Sequence, residues 1–297
     1  MQVDAGRFTV RLARDDREVA AAQRLRYRVF VEEMGASVPA EDAACRLERD
    51  RYDPYFDHLI LIDNECDDAE MPLGVVGVYR LMRGSAARDG IGFYGDGEYD
   101  LGKLYAWHTE TLELGRSCVD AAYRGGSGMH LLWTGLSRYV DLHKIGILFG
   151  VASFHGDDTA PLAQALSFLH HNHLAPPDLR VRAVAERFAP MDILAPEAVD
   201  KAEALRQIPA LIKGYLRLGG FVGEGAFVDY DFNTVDVCLI MDTGRMVDRY
   251  LRFYQRHQKR GGTPTAGSAS DQKGDRTGDR KGGETGGDTS DRTGGGA

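Results

Sequence analysis

The sequence predicts a mixed α/β fold, a central sheet with helices on its faces. Three observations predict it. A strand and an amphipathic helix open the chain, a run of short apolar strands follows, and then strand, glycine turn (YRGGSG), helix and strand succeed one another in a βαβ-like order. No internal repeat competes with this reading.

Residues 7–13 alternate Phe8, Val10 and Leu12 with polar neighbours and read as the first strand. Asp15 or Asp16 caps a helix in which Val19, Ala22, Leu25 and Val29 recur at helical spacing to about Met34, and Gly35 ends it. Residues 36–55 are polar, charge-rich and aperiodic, so a long loop is expected. Residues 58–63 and 73–82 are apolar runs separated by the acidic turn NECDDAEMP, which predicts an antiparallel hairpin. Residues 84–102 read as a glycine-rich loop. A strand follows at 112–119, a helix at 129–143 with Leu132, Leu136, Tyr139 and Val140 on one face, a buried strand at 146–154 and a helix at 161–171. After a connection with a short helix near 197–206, Pro209 and the pair Gly219 and Gly220 bracket another helix. Residues 222–240 supply two more strands, and a last helix is expected near 244–257.

Composition narrows the class. Of 297 residues, 43% are hydrophobic and 27% charged, which excludes a wholly disordered chain, a collagen-like repeat and a disulfide scaffold. Twelve of the 36 glycines lie in residues 261–297, where Val, Ile, Leu, Met, Phe, Trp, Tyr and Cys are all absent. Such a segment buries nothing, so the domain is expected over 1–257 and a disordered polar tail over 258–297. The net charge of -9 falls almost wholly on the domain and excludes the basic footprint of a nucleic-acid binder. No apolar run reaches 18 residues, and the opening MQVDAGRFTVRLARDD lacks the apolar core of a signal peptide. Cys45, Cys66, Cys118 and Cys238 form no C-x-x-C pair, so a cytoplasmic protein with reduced thiols is expected.

Five segments carry a resemblance: LRYRVFVEEMG (25–35), RDRYDPYFDHLIL (49–61), GVVGVYRL (74–81), ELGRSCV (113–119) and IPALIKGYLRLGGFVGEGAFVDYDFNTVDV (208–237). Together they resemble bacterial ornithine Nα-acyltransferases of ornithine lipid synthesis. These are hemolysin-like members of the GNAT fold, related to acyl-homoserine-lactone synthases. The resemblance implies a GNAT-like mixed sheet and transfer of a long 3-hydroxyacyl group from acyl carrier protein to the α-amine of L-ornithine. Neither a cofactor nor a metal is expected, and attack is direct, because no Cys-His arrangement for an acyl-enzyme is readable. A long-chain product allows peripheral contact with the inner face of the cytoplasmic membrane. The rival readings are a sister enzyme acting on glycine, another amino acid or S-adenosylmethionine, and a non-catalytic acyl-binding or lytic module.

Acyl transfer to an amine needs a base, donors for the tetrahedral oxyanion, and groups complementary to the charges of the amino acid. Glu113 and Arg116 are the catalytic candidates: three apart in a strand, they point to opposite faces unless a bulge intervenes, and the GNAT fold implies such a bulge or splay. Asp50 and Asp53 match the paired acids of the lactone synthases and, with Asp57, are candidates to hold the ammonium groups of ornithine. Arg26 and Phe30 match the R-x-x-x-F of the family helix, where the arginine is expected to pair with these acids. Ala36 stands where the lactone synthases have Trp. Arg80 is a candidate for the substrate carboxylate or for the acid cluster. The turn with Arg124, Gly126 and Gly128 resembles a phosphate-binding loop at a helix start, with Tyr123 replacing its leading Gln or Arg. Ser153 lies in a stretch resembling S-F-x-G-T-D of the acyltransferases. Arg124 and Lys144 are candidates for contact with the acidic carrier protein. The pair His58 and Asp63 satisfies H-x-x-x-x-D, but five residues apart in a strand they face opposite ways.

Overall fold

The computed structural model describes residues 1–245. Of the last helix expected near 244–257, residues 244 and 245 fall in a 3-10 turn, Thr243–Arg245; the rest of it and the expected tail at 258–297 lie outside the described residues.

The chain opens with a hairpin of β1 (Gln2–Ala5) and β2 (Phe8–Leu12). The Asp15 carboxylate then caps α1 (Asp16–Arg26) by accepting the Glu18 N–H at 3.0 Å. A π-helical stretch, Tyr27–Glu33, continues α1 to the expected end near Gly35, and its widened turn shows in the Met34 N–H donating to Val29 C=O. The segment expected as a loop contains α2 (Ala40–Cys45) and a single 3-10 turn, Asp53–Tyr55. β3 (Asp57–Asp63) and β4 (Val75–Arg83) form the expected hairpin. The expected loop at 84–102 instead carries α3 (Gly84–Asp89), a 3-10 turn (Tyr94–Gly97), β5 (Tyr99–Asp100) and the start of α4 (Gly102–Tyr105). Elements this short show no periodicity; tertiary packing forms them.

β6 (Glu110–Val119), α5 (Gly128–His143) and β7 (Ile145–His155) are the expected βαβ unit. There follow α6 (Ala163–His173), β8 (Arg182–Ala183), β9 (Phe188–Ala189), α7 (Lys201–Gln207), α8 (Ala210–Arg217), β10 (Phe221–Val222), β11 (Ala226–Asp229) and β12 (Thr234–Asp242). The main sheet runs β1-β2-β3-β4-β6-β7-β12-β11-β9, with β10 beside β12, while β5 and β8 pair separately. Among the described residues only its neighbours β6 and β7 form a parallel ladder, as the α5 crossover requires. α5 and the later helices cover one face, with Leu132, Leu136 and Ile212 packed into the cluster of Leu148, Val237 and Leu239. On the other face Ala22 and Leu25 of α1 pack on Ile60 and Val78, and Phe93 and Leu104 pack on Ile147, Phe149 and Ile240.

Two irregularities interrupt the centre of this sheet. Val78 faces Cys118 and Arg80 faces Gly115, so Tyr79 alone opposes both Arg116 and Ser117, and Arg116 takes a left-handed φ of 48°. This is a β-bulge. The β6–β7 ladder stops at Glu113 and Phe149, and from Gly150 onward β7 pairs with β12 alone. The two strands therefore splay apart. At the parting point a Cβ on Gly150 would lie 2.2 Å from the Leu114 carbonyl oxygen. Gly150→Ala is expected to lower the melting temperature by about 5 °C, an overpacking cost of roughly 1–3 kcal/mol. Calorimetry checks it, and unchanged melting would mean that the strands have slack there.

Candidate active site

The splay opens a cavity of about 560 Å³. Its walls come from both faces of the sheet, because neighbouring residues of a strand point opposite ways. On the face of α5 and α8 the lining is mostly apolar: Tyr79, Met129, Leu148, Tyr215, Leu239 and Met241. On the face of α1 it is polar: Arg80, Glu98, Glu113, Arg116, Asp229 and Asp236. One compartment thus suits a hydrocarbon chain and the other an ionic group, and they meet where β6 leaves β7.

Glu113 stands at that meeting point, 2% exposed. Its two carboxylate oxygens accept the backbone N–H groups of Tyr94 at 2.8 Å and Gly95 at 2.7 Å. Burial disfavours the charged form more strongly than these donors favour it, and the carboxyl is pushed up to about 7. That is the range in which a carboxylate can take a proton at neutral pH. The bulge brings Arg116 to the same cavity as Glu113.

Three arginines and three acids form a network beside it. Arg26, with no exposure, donates from Nε to Glu48 and from Nη1 to Asp53 Oδ1 at 2.8 Å. Arg80 donates from Nη1 to Asp53 at 2.8 Å and to Asp50 at 2.7 Å. Arg116 bonds Glu48 at 3.0 Å, lies 3.6 Å from Asp50, and sits over the rings of Tyr94 and Phe232 at 4.9 and 5.5 Å. Burial alone would raise the Glu48 carboxyl, yet Arg116 and Arg26 hold it at about 2. Asp53 is likewise held well below the usual carboxylate range by Arg26 and Arg80 against the opposing effect of burial.

The expected pairing of Arg26 with the acids is present, and Arg80 joins the same cluster. The expectation that Asp50 and Asp53 stand ready for an ammonium group meets a different arrangement, since arginines already engage both. Asp57 does not join them. One residue out of phase with His58, it turns to the α5 face, where it accepts the Tyr139 hydroxyl at 2.6 Å and lies 4.0 Å from Arg83. Phe30, Arg124, Gly126 and Ser153 line the cavity. Gly128 is buried against Val119 and Leu61 at the first turn of α5, outside the lining. Arg124 is engaged by the Val119 carbonyl and by Glu33 at 2.6 Å. Lys144 follows the far end of α5, about 24 Å away at 1.5 Å per residue, so the two cations do not form one docking patch. His58 and Asp63 do face apart: the His58 ring meets the Asp53 carbonyl, and Asp63 accepts from Arg7 and Tyr123.

Five lining or supporting residues had no signal in the sequence reading: Glu48, Tyr94, Glu98, Asp229 and Asp236. Glu48 stands two places before Asp50, and a search for D-x-x-D passes over it. Glu98, Asp229 and Asp236 converge only in the folded chain. Asp229 and Asp236 project from β11 and β12 on the face shared with Phe227, whose register partner is Asp236, and Glu98 follows the turn that binds Glu113.

The acetyltransferase (GNAT) domain family matches residues 25–134. The chain is 54% identical over 249 residues to the L-ornithine N(alpha)-acyltransferase of Rhodobacter capsulatus, covering 84% of this chain and 95% of that protein. It is 44% identical over 251 residues to the protein of that name from Brucella abortus, covering 84% and 89%. Among solved structures it is similar to an N-acyl amino acid synthase from uncultured soil microbes, with a TM-score of 0.45, 14% identity and coverage of 80% and 92%. An AHL synthase gives a TM-score of 0.43, 13% identity and coverage of 88% and 98%. With such identity over nearly the full length of these relatives, the chain belongs to the L-ornithine N(alpha)-acyltransferase family and is an acyltransferase.

Proposed function

We propose that the protein transfers a long-chain 3-hydroxyacyl group from acyl carrier protein to the α-amine of L-ornithine, the first step of ornithine lipid synthesis. The observation that carries this reading is the position of Glu113, a buried carboxyl poised near neutrality between an apolar and an ionic compartment. In the proposed reaction the amine gives a proton to Glu113, directly or through one water molecule, and its nitrogen attacks the thioester carbonyl. Backbone N–H groups freed where β6 leaves β7 receive the oxyanion. The C–S bond then breaks, and the leaving thiolate takes up a proton. Arg116 orders Glu48 and Asp50 and fixes the polar wall; Arg26, Arg80, Asp50 and Asp53 act with it as positioning residues.

The acyl chain fits the apolar wall. Within that wall the Tyr79 and Tyr215 hydroxyls bond to each other, a polar point that a 3-hydroxyl can use. Tyr215→Phe is expected to reduce the preference for a 3-hydroxyacyl over an unsubstituted acyl donor by roughly tenfold in kcat/KM, the worth of one hydrogen bond; an unchanged ratio removes the pair from donor selection. The loop before α5 keeps its glycines but begins with Tyr123, held by Asp63, which suits the single phosphate of a pantetheine arm. Among the described residues no helix is long and apolar enough to cross a membrane, so any membrane contact in this proposal is peripheral and made near the lipid product.

The test is incubation of purified protein with 3-hydroxyacyl carrier protein, or the matching coenzyme A ester, and ornithine, glycine or S-adenosylmethionine. Thiol release with ornithine and the carrier-bound donor, with a product of the expected mass, is the expected result. No release with ornithine would sink the proposal.

A further inference from the structure

Two kinds of acid stand at the ionic compartment, and their partners separate them. Glu48, Asp50 and Asp53 are matched by Arg26, Arg80 and Arg116, three charges against three. Glu98, Asp229 and Asp236, which line the cavity itself, each bring a carboxylate oxygen within 4.8 Å of the others. Glu98 is 7% exposed and Asp236 4%, and Glu98 Oε2 and Asp236 Oδ1 make no hydrogen bond. Asp229 is tied to its own turn by the N–H groups of Asp231 and Phe232, with Arg187 at 3.7 Å. Burial, joined by mutual repulsion, pushes the carboxyls of Glu98 and Asp236 upward. Arg116 offsets only part of this; buried acids crowded together are costly, and a bound cation relieves that cost.

We propose that Glu98, Asp229 and Asp236 form the pocket for the δ-ammonium of the amino-acid substrate and select a diamino acid over its uncharged analogue. This rests on the proposed ornithine Nα-acylation. Three carboxylate oxygens around one point match the three N–H donors of a primary ammonium. The 3-10 turn at Tyr94–Gly97 couples the two ends of the substrate: its N–H groups hold Glu113, and Glu98 follows it directly. An amino acid anchored by its δ-ammonium in the triad has its α-amine at the Glu113 end of the same cavity. The D-x-x-D acids, already neutralised by arginine, are left as supports.

The experiment compares L-ornithine with L-norvaline, which has the same carbon skeleton without the δ-amine, in wild-type protein, Glu98→Gln and Asp236→Asn. Wild type is expected to favour ornithine by about 10²-fold or more in kcat/KM. Each variant is expected to lose at least tenfold of that preference through a raised KM for ornithine, while turnover of norvaline stays within a few-fold. Ornithine should raise the melting temperature of wild type and not of the variants. The ligand-free variants should melt no lower than wild type, because an amide replaces a buried acid that its neighbours repel. Equal losses for both amino acids, an unchanged ornithine-dependent shift, or variants that melt well below wild type would overturn the assignment. Turnover abolished by EDTA and restored by a divalent cation would also overturn it, by giving the triad to a metal ion. If wild type shows the melting shift and the variants lose it but no acyl transfer to ornithine occurs, the proposed reaction fails and the ammonium pocket stands.

Discussion

Glu113→Gln is expected to lower turnover with ornithine and an acyl thioester by roughly 10²-fold or more, the usual loss on removing a general base. The fold should survive. Glutamine keeps the shape of the side chain and one acceptor for the two N–H groups of Tyr94 and Gly95, at the cost of about one hydrogen bond. It also keeps the neutral form that burial favours. With the Glu113 carboxyl pushed up from 4.5 to about 7, the folded protein retains a proton between those values that the unfolded chain has released. This group's favourable contribution is therefore complete below the unfolded value and lost as pH rises through 7, and glutamine does not suffer that loss. Thermal melting of wild type and variant at pH 8 checks it.

The same shift sets the pH profile. A base must be deprotonated to act, so kcat/KM should rise with pH as Glu113 ionises and level off above about 7. Glu113→Gln should flatten that limb as well as lower it. A limb that persists unchanged in the variant would assign the base to another group, and the variant then reports a structural effect.

The frame of the fold is legible because its long elements repeat. β3 and β4 are apolar runs, α5 carries Leu132, Leu136 and Tyr139 on one face, and the glycine turn before α5 marks a crossover that only a parallel pair can use. α2, α3 and β5 are two to six residues long, too short to carry a period. At the site, residue types are legible and partnerships are not. Asp50 and Asp53 stand out as charges, yet what they do is decided by Arg80, 30 and 27 residues away in sequence. Glu113 and Arg116 look mismatched until the bulge at Arg116 changes the phase of β6. Glu98 and Asp236 are joined only by tertiary packing, where Tyr99 of β5, next to Glu98, donates its hydroxyl to the Asp236 carbonyl of β12.

Asp53→Ala is expected to destabilise the protein by about 3–5 kcal/mol, the cost of removing one member of a buried ion network. Asp53 takes bonds from Gln23, Arg26 and Arg80, and both arginines are fully buried. Without it their charges face each other across Glu48 and Asp50 alone. At roughly 2–4 °C per kcal/mol for a chain of this size, the melting temperature should fall by about 10 °C. Asp57→Ala is the matched control, because Asp57 is half-buried and lies 4.0 Å from its nearest arginine; it should cost about 1 kcal/mol. Acid makes the same point without mutation. The Glu48 carboxyl lies at about 2 in the fold against 4.5 unfolded, and Asp53 is also depressed, so their stabilisation is complete above about 4.5 and drains away as pH falls toward 2. Denaturant titrations at pH 7 and pH 4 should therefore show a smaller gap between Asp53→Ala and wild type at the lower pH, because acid has begun to weaken the network that the substitution removes. A gap that stays constant between the two would mean that Asp53 stabilises by packing alone.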